Sequence, residues 1–379
     1  MLKTSGYHNY GIWIIIAFSV GLSIYSSWCG LGLTYDSFDY LAASESFKEN
    51  LKLTNRNGSP YIFHAPLFPV LLSFFGAYPN NFFPLFNTVI CIVTLLQLFK
   101  LLKGYFRNKF LFLIGYASIS LSVGFQMIHN FLWTEPIFLL LFVFHNHFLL
   151  RFLKSEKRVN YWLLICMAFL MGLTKNTGFF IILSTSGILL FYSKTSIFKS
   201  SVIYILSGSI GFVLWNVFVL IFYNGEQMFQ NNEFLIGVDV NFINYTDTIS
   251  RWFLPGFIPY LYRMLFLITV IVIYFLMLKK EKVPIQIKIF LIQFLAYLLI
   301  MIVVIRVDKD EIERLLSIVG PWLFIALIMT LELRWKNIGF ALRRWILVLL
   351  TVWVCYIGFR SINNSIGWHN GNCTIKKSR

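Results

Sequence analysis

Two carboxylates lie in the run Tyr35-Asp36-Ser37-Phe38-Asp39-Tyr40, just past the end of the first long apolar segment. A carboxylate at the mouth of a membrane span faces water beside lipid, where a membrane enzyme would keep a general base. Tyr40 follows one turn later. Four other segments carry groups of similar use: His64 before Pro66-Leu67-Phe68-Pro69, Glu135 in Trp133-Thr134-Glu135-Pro136, Lys175 in Gly172-Leu173-Thr174-Lys175-Asn176, and Arg314 at the end of Asp308-Lys309-Asp310-Glu311-Ile312-Glu313-Arg314. Carboxylates can move a proton, and a lysine or arginine can hold a phosphate. Each also has a plain structural role. Asp36 can cap a helix, Asp39 can be solvated, and Glu135-Pro136 can open a helix. His64 can be a bonded structural histidine, Lys175 can snorkel to the interface, and Arg314 can anchor there or pair with Asp310 or Glu311.

The elements that position these groups are membrane helices. The chain of 379 residues is 58% hydrophobic and 19% aromatic, with mean hydropathy +0.73. A soluble domain is usually under half apolar. In lipid, a spanning segment must close its own backbone hydrogen bonds and is therefore helical. Hydropathy places spans near Tyr10–Leu33, Phe82–Lys103, Phe110–Ile128, Phe131–Leu153, Tyr161–Leu173, Thr177–Phe191, Ser201–Tyr223, Tyr260–Leu278, Ile285–Val307, Leu315–Leu333 and Trp345–Phe359. The fold class is an all-α polytopic bundle of about eleven spans, one domain over residues 1–379. The stretch 161–192 reads as two short helices meeting at Lys175; as one helix it would leave ten spans.

Eleven spans with an inner N-terminus put most of the 32 basic residues on the inner side, with Glu156, Glu281 and Glu332 the acids that join them. The net charge of +16 is mainly this topology signal. Spread over several loops, it does not make a nucleic-acid surface. The first apolar segment is too long for a signal peptide, and no clear cleavage site follows it. Two outer loops are long, 32–81 and 224–259. In the first, Asp36 to Asn50 reads as a helix lying on the membrane surface, followed by a polar turn at Asn55-Arg56-Asn57-Gly58-Ser59-Pro60 and a second short helix. The five cysteines lack metal-ligand spacing. Most read as core hydrophobes; Cys29 and Cys373 can both face outside, but sequence cannot pair them. The histidines form no ligand cluster with the outer acids, so no metal or cofactor is expected, although an oxygen-only cation site needs no histidine.

In this order, Asp36…Tyr40, Ala42-Ala43, Pro66-Leu67-Phe68-Pro69, Thr134-Glu135-Pro136, Gly172-Leu173-Thr174-Lys175 and Glu313-Arg314-Leu315-Leu316 resemble the GT-C superfamily of integral-membrane glycosyltransferases, over about residues 10–335. The branch is that of protein O-mannosyltransferases and the lipid A aminoarabinose transferase. The family often has an adjacent Asp-Glu pair, where this chain has Asp36-x-x-Asp39. The resemblance implies transfer of a sugar from a polyprenyl-phosphate donor to a glycan, lipid or protein acceptor outside the cytoplasm, in one displacement that inverts the anomeric centre. It implies Asp36 as base with Asp39 beside it, Arg314 and Lys175 on the donor phosphate, and Tyr40, His64 and Glu135 positioning substrate. The expected location is a bacterial inner membrane, with the site on its outer, periplasmic face.

Two other functions fit the same topology. An O-antigen ligase or polymerase also uses lipid-linked sugars, with Arg251 in the second long loop as its candidate. A transporter or flippase would show ionisable groups deep within spans or paired repeats with broken helices; here the acids gather at outer ends, and only the break at Lys175 suits it.

Overall fold

The computed structural model describes residues 7–75, 82–192, 197–222, 237–278, 283–304 and 309–377. Asp308, Lys194, Lys279, Lys280, Glu281 and Lys282 lie outside the described residues, as does the first part of the expected loop 224–259. The helices are α1 (Tyr7–Ser26), α2 (Tyr35–Asn50), α3 (Leu67–Ser73), α4 (Phe82–Leu102), α5 (Lys109–Ser120), α6 (Val123–Asn130), α7 (Glu135–Ser155), α8 (Arg158–Thr174), α9 (Gly178–Tyr192), α10 (Ile197–Gly208), α11 (Ile210–Phe222), α12 (Val238–Arg251), α13 (Tyr260–Leu278), α14 (Ile285–Val304), α15 (Lys309–Leu316), α16 (Gly320–Arg334) and α17 (Phe340–Lys377). No strand is present among the described residues, only two isolated β-bridges. The chain is an all-α, multi-pass membrane protein.

Among the described residues, five helices are long and apolar enough to cross a membrane, and seven such spans result if the bent pairs α5–α6 and α10–α11 each count as one. Both pairs bend by 41°. α1, α8 and α9 are apolar but shorter. Several expected boundaries move. The first helix stops at Ser26 rather than Leu33, and the fourth starts at Glu135 rather than Phe131, which instead bridges to Gly32. The expected break at Lys175 is present, between α8 and α9. Residues 238–251, expected as loop, form α12. It buries Asn241, Asp247, Thr248 and Ser250 alongside Tyr245 and Ile249, so hydropathy alone misses it. The last helix runs on to Lys377 instead of ending near Phe359.

The chain divides into two compact units. The first comprises Met1–Leu22, Leu102–Met127 and Glu233–Ser365. Its core stacks Phe290 on Trp322 and gathers Trp252, Phe253, Phe324 and Trp353. Gly320 faces Trp252, where a Cβ would sit 3.0 Å from the ring. Asp247 on α12 binds Arg251 of the same helix and Arg263 of α13, each at 2.6 Å.

The second unit comprises Ser23–Leu101, Ile128–Asn232 and Ile366–Arg379. Small residues bring its helices close, as is common in lipid. Gly211 on α11 packs on the Phe169 carbonyl of α8, and Gly172 on α8 packs on the Phe212 backbone. A core of Tyr40, Leu41, Tyr61, Ile62, Phe68, Leu72, Ile90, Leu132, Ile137 and Trp215 joins α2 and α3 to α4, α7 and α11. That core is the floor under the groups described next.

Candidate active site

Within the second unit, α2 begins at a defined corner. Thr34 is the N-cap, with extended backbone, and its N–H donates to Ser37 Oγ at 3.0 Å. Asp36 is therefore not the cap; it sits in the first turn, where the helix dipole favours a carboxylate. Ser37 Oγ donates onward to the Leu132 carbonyl at 3.0 Å, and Trp133 Nε1 donates to Thr34 Oγ1 at 2.8 Å. Gly32 and Phe131 pair in a parallel bridge. A Cβ at residue 32 would run into the Phe131 ring, so only glycine allows the two segments to approach this closely. The start of α2 is thereby fixed to the segment that leads into Glu135.

Asp36 Oδ1 lies 3.9 Å from His64 Nε2, an electrostatic approach rather than a hydrogen bond. Both side chains are partly open to solvent. His64 is edge-on to Tyr40 at 5.2 Å, and Tyr40 is edge-on to Phe68. Asp39, one turn along α2, is 4.0 Å from Arg56 Nε, and the Arg56 guanidinium lies 3.7 Å over the Tyr35 ring. The polar turn expected at 55–60 delivers that arginine. Asn55 Oδ1 accepts from the N–H groups of Asn57 and Ser59, both at 3.0 Å, and Gly58 takes a positive φ of 75°.

Tyr61, which sequence reasoning passed over, is 2% exposed, and its hydroxyl has no hydrogen-bond partner among the described residues. Burial first, and then the proximity of Tyr40, Asp36 and Asp39, raises its pKa well above the usual tyrosine value. The hydroxyl is a neutral donor beside two carboxylates. Its spacing of three residues from His64 was the available signal.

Glu135 and Lys175 meet. Glu135 opens α7 with Pro136 behind it and is fully buried. Lys175 is the extended C-cap of α8, and its Nζ donates directly to Glu135 Oε1. Thr134 Oγ1 donates to Oε2 at 3.2 Å. Gly178 permits α9 to restart at once, since a Cβ there would lie 2.7 Å from the Met171 carbonyl. Beside Lys175, Asn176 Nδ2 donates to the Phe63 carbonyl at 3.3 Å. The ion pair and the Asp36–His64 pair are thus tied through adjacent residues. The second unit brings together Asp36, Asp39, Tyr40, His64, Glu135 and Lys175. Arg314 belongs to the first unit, buried there with its Nη1 2.8 Å from Glu311 Oε2. Arg251 also lies there, bound to Asp247.

Among the described residues, one group of Cys and His side chains could hold a metal by proximity, Cys29, His369 and Cys373, but the two sulfurs form a disulfide. Of the three free cysteines, Cys91 is buried as expected, while Cys166 and Cys355 are exposed.

The fold is similar to that in the crystal structure of ArnT from Cupriavidus metallidurans bound to undecaprenyl phosphate, with a TM-score of 0.55 and 11% identity, over 96% of this chain and 77% of ArnT. At that identity the likeness is one of fold. No protein-family model matches the sequence, and no curated protein does.

Proposed function

We propose that this protein is a membrane glycosyltransferase that takes a sugar from a polyprenyl-phosphate carrier and passes it to an acceptor on the outer face of a bacterial inner membrane. The observation that carries the reading is the arrangement of Asp36 and His64 beside the buried Glu135–Lys175 pair, in the fold of a protein solved with undecaprenyl phosphate.

A sugar hydroxyl is a poor nucleophile until its proton is removed. Asp36 takes that proton as the acceptor oxygen bonds to the anomeric carbon. The bond from that carbon to the phosphate oxygen breaks, and its electron pair leaves on the polyprenyl phosphate. One displacement of this kind inverts the anomeric centre. Glu135, buried and hydrogen-bonded, holds the Lys175 ammonium in place, and that ammonium stabilises the growing charge on the phosphate. Tyr61 offers a hydroxyl to the substrate, and Tyr40 and His64 frame the sugar. Asp39 orients Arg56 toward the acceptor. The Cys29–Cys373 disulfide supports the location, since disulfides persist in oxidising compartments.

The test is lipid selectivity. Native mass spectrometry should show wild type binding undecaprenyl phosphate over undecaprenol, with Lys175→Met weakening the phosphate form by about 10- to 100-fold. Equal binding of the phosphate and the alcohol by wild type would contradict the reading.

A further inference from the structure

The last turns of α17 return to the second unit, where Trp368, His369, Asn372 and Cys373 make a run of contacts. Cys373 is disulfide-bonded to Cys29, with Cα atoms 5.0 Å apart. One turn earlier, His369 stacks on Tyr25 at 4.4 Å, and its Nδ1 donates to the Tyr25 carbonyl at 2.8 Å. Asn372 is buried, and its Nδ2 lies within reach of three acceptors, the Ser26 and Gly30 carbonyls at 3.2 Å and Asn130 Oδ1 at 3.5 Å. Trp368 meets Phe131 edge-on at 6.1 Å, and Phe131 stacks on Trp133 at 4.5 Å.

Trp133 is the donor to Thr34, the cap of the helix turn that carries Asp36. The Phe131 backbone neighbours complete the link, because Gly32 N–H donates to the Asn130 carbonyl at 2.9 Å and Leu132 N–H to the Gly32 carbonyl at 3.0 Å. Every member of this run is in contact with the next. A buried side-chain amide shared among three segments, with a covalent staple one residue away, is more than a helix tail needs to stay folded.

We infer that Trp368 and Asn372 are positioning residues: the end of α17, stapled by Cys29–Cys373, sets the Gly32–Asp36 corner against the Phe131–Glu135 segment. They act through Phe131, Asn130 and Trp133, not by touching substrate. The inference rests on the reading of Asp36 as base, and the experiment separates the two.

Amide hydrogen exchange is followed at residues 32–38 and 130–135, with α8 as the internal control for folding. Wild type, wild type reduced with dithiothreitol, Trp368→Ala, Trp368→Phe and Asn372→Ala are compared. Turnover of a polyprenyl-phosphate sugar is measured on the same samples. Expected are faster exchange at both segments in the reduced protein, Trp368→Ala and Asn372→Ala, with α8 unchanged. In the same three samples kcat falls by roughly 10- to 100-fold while KM holds. Trp368→Phe, which keeps an aromatic edge, restores both. Unchanged exchange at residues 32–38, or changed exchange with unchanged kcat, overturns the inference. If Asp36→Asn retains full turnover, the base assignment falls instead, and exchange still decides whether α17 holds the corner.

Discussion

Glu135 and Lys175, forty residues apart, form an ion pair whose carboxylate is fully buried at the start of α7 and whose lysine is the C-cap residue of α8. Two charges are withdrawn from water only if each stabilises the other. Removing one leaves its partner uncompensated, at a cost of about 3–5 kcal/mol. Glu135→Gln and Lys175→Met should each lower the apparent melting temperature sharply. The double variant Glu135→Gln/Lys175→Met should recover part of the loss, so that the double-mutant cycle shows a clear coupling. Additive losses would mean that the pair does not act as a unit.

Tyr61 tests stability against function. Its buried hydroxyl is unpartnered among the described residues, so Tyr61→Phe removes a desolvated group and should leave stability unchanged or raise it by about 1–3 kcal/mol. Turnover should nevertheless fall if that hydroxyl serves the substrate. The pH dependence has a definite sign. Burial, with Tyr40, Asp36 and Asp39 adding, raises the folded pKa above the ordinary value of 10.0. Above pH 10 the unfolded chain therefore releases a proton that the folded chain retains. The stability this group contributes is complete below that pH and is lost as pH rises further. Melting curves from pH 9 to pH 11 should fall more steeply for wild type than for Tyr61→Phe.

Gly32 sits where a side chain would strike Phe131. Gly32→Ala should push that ring off Trp133 and loosen the Thr34 corner, lowering both turnover and thermal stability. Adding Phe131→Leu, which gives the new methyl room, should restore stability more than turnover, because the stack on Trp133 is gone. A fully active Gly32→Ala would mean that the corner tolerates the displacement.

Cys29 and Cys373 must share one side of the membrane to be bonded, so an even number of crossings separates them. The eleven-span reading has ten; a single helix over 161–192 would give nine. After reduction in intact spheroplasts, a membrane-impermeant maleimide added outside should label both cysteines. Labelling of one alone would refute the odd count of spans.

Much of the second unit was legible in the sequence for physical reasons. Period and polarity marked α2. Asn, Gly and Pro marked the turn that carries Arg56. The Gly172–Asn176 interruption marked the break at Lys175. Pairings across the chain were not legible. Nothing short-range tells Glu135 that its partner is Lys175, and nothing in the isolated cysteines joins Cys29 to Cys373. α12 was hidden because its inner face buries Asn241 and Asp247 rather than leucines. The continuation of α17 was hidden because Asn363, Asn364, Gly367, Asn370 and Gly371 have the composition of a loop, while Ser361, Ser365 and Asn372 bury one helical face.

The most direct measurement is sugar release from a panel of polyprenyl-phosphate sugars by purified protein, comparing wild type with Asp36→Asn at equal folded yield. The account predicts turnover of at least one donor by wild type and a loss of about 100-fold or more in the variant, the scale of a missing general base. Turnover that survives Asp36→Asn would contradict the assignment of Asp36 as the base.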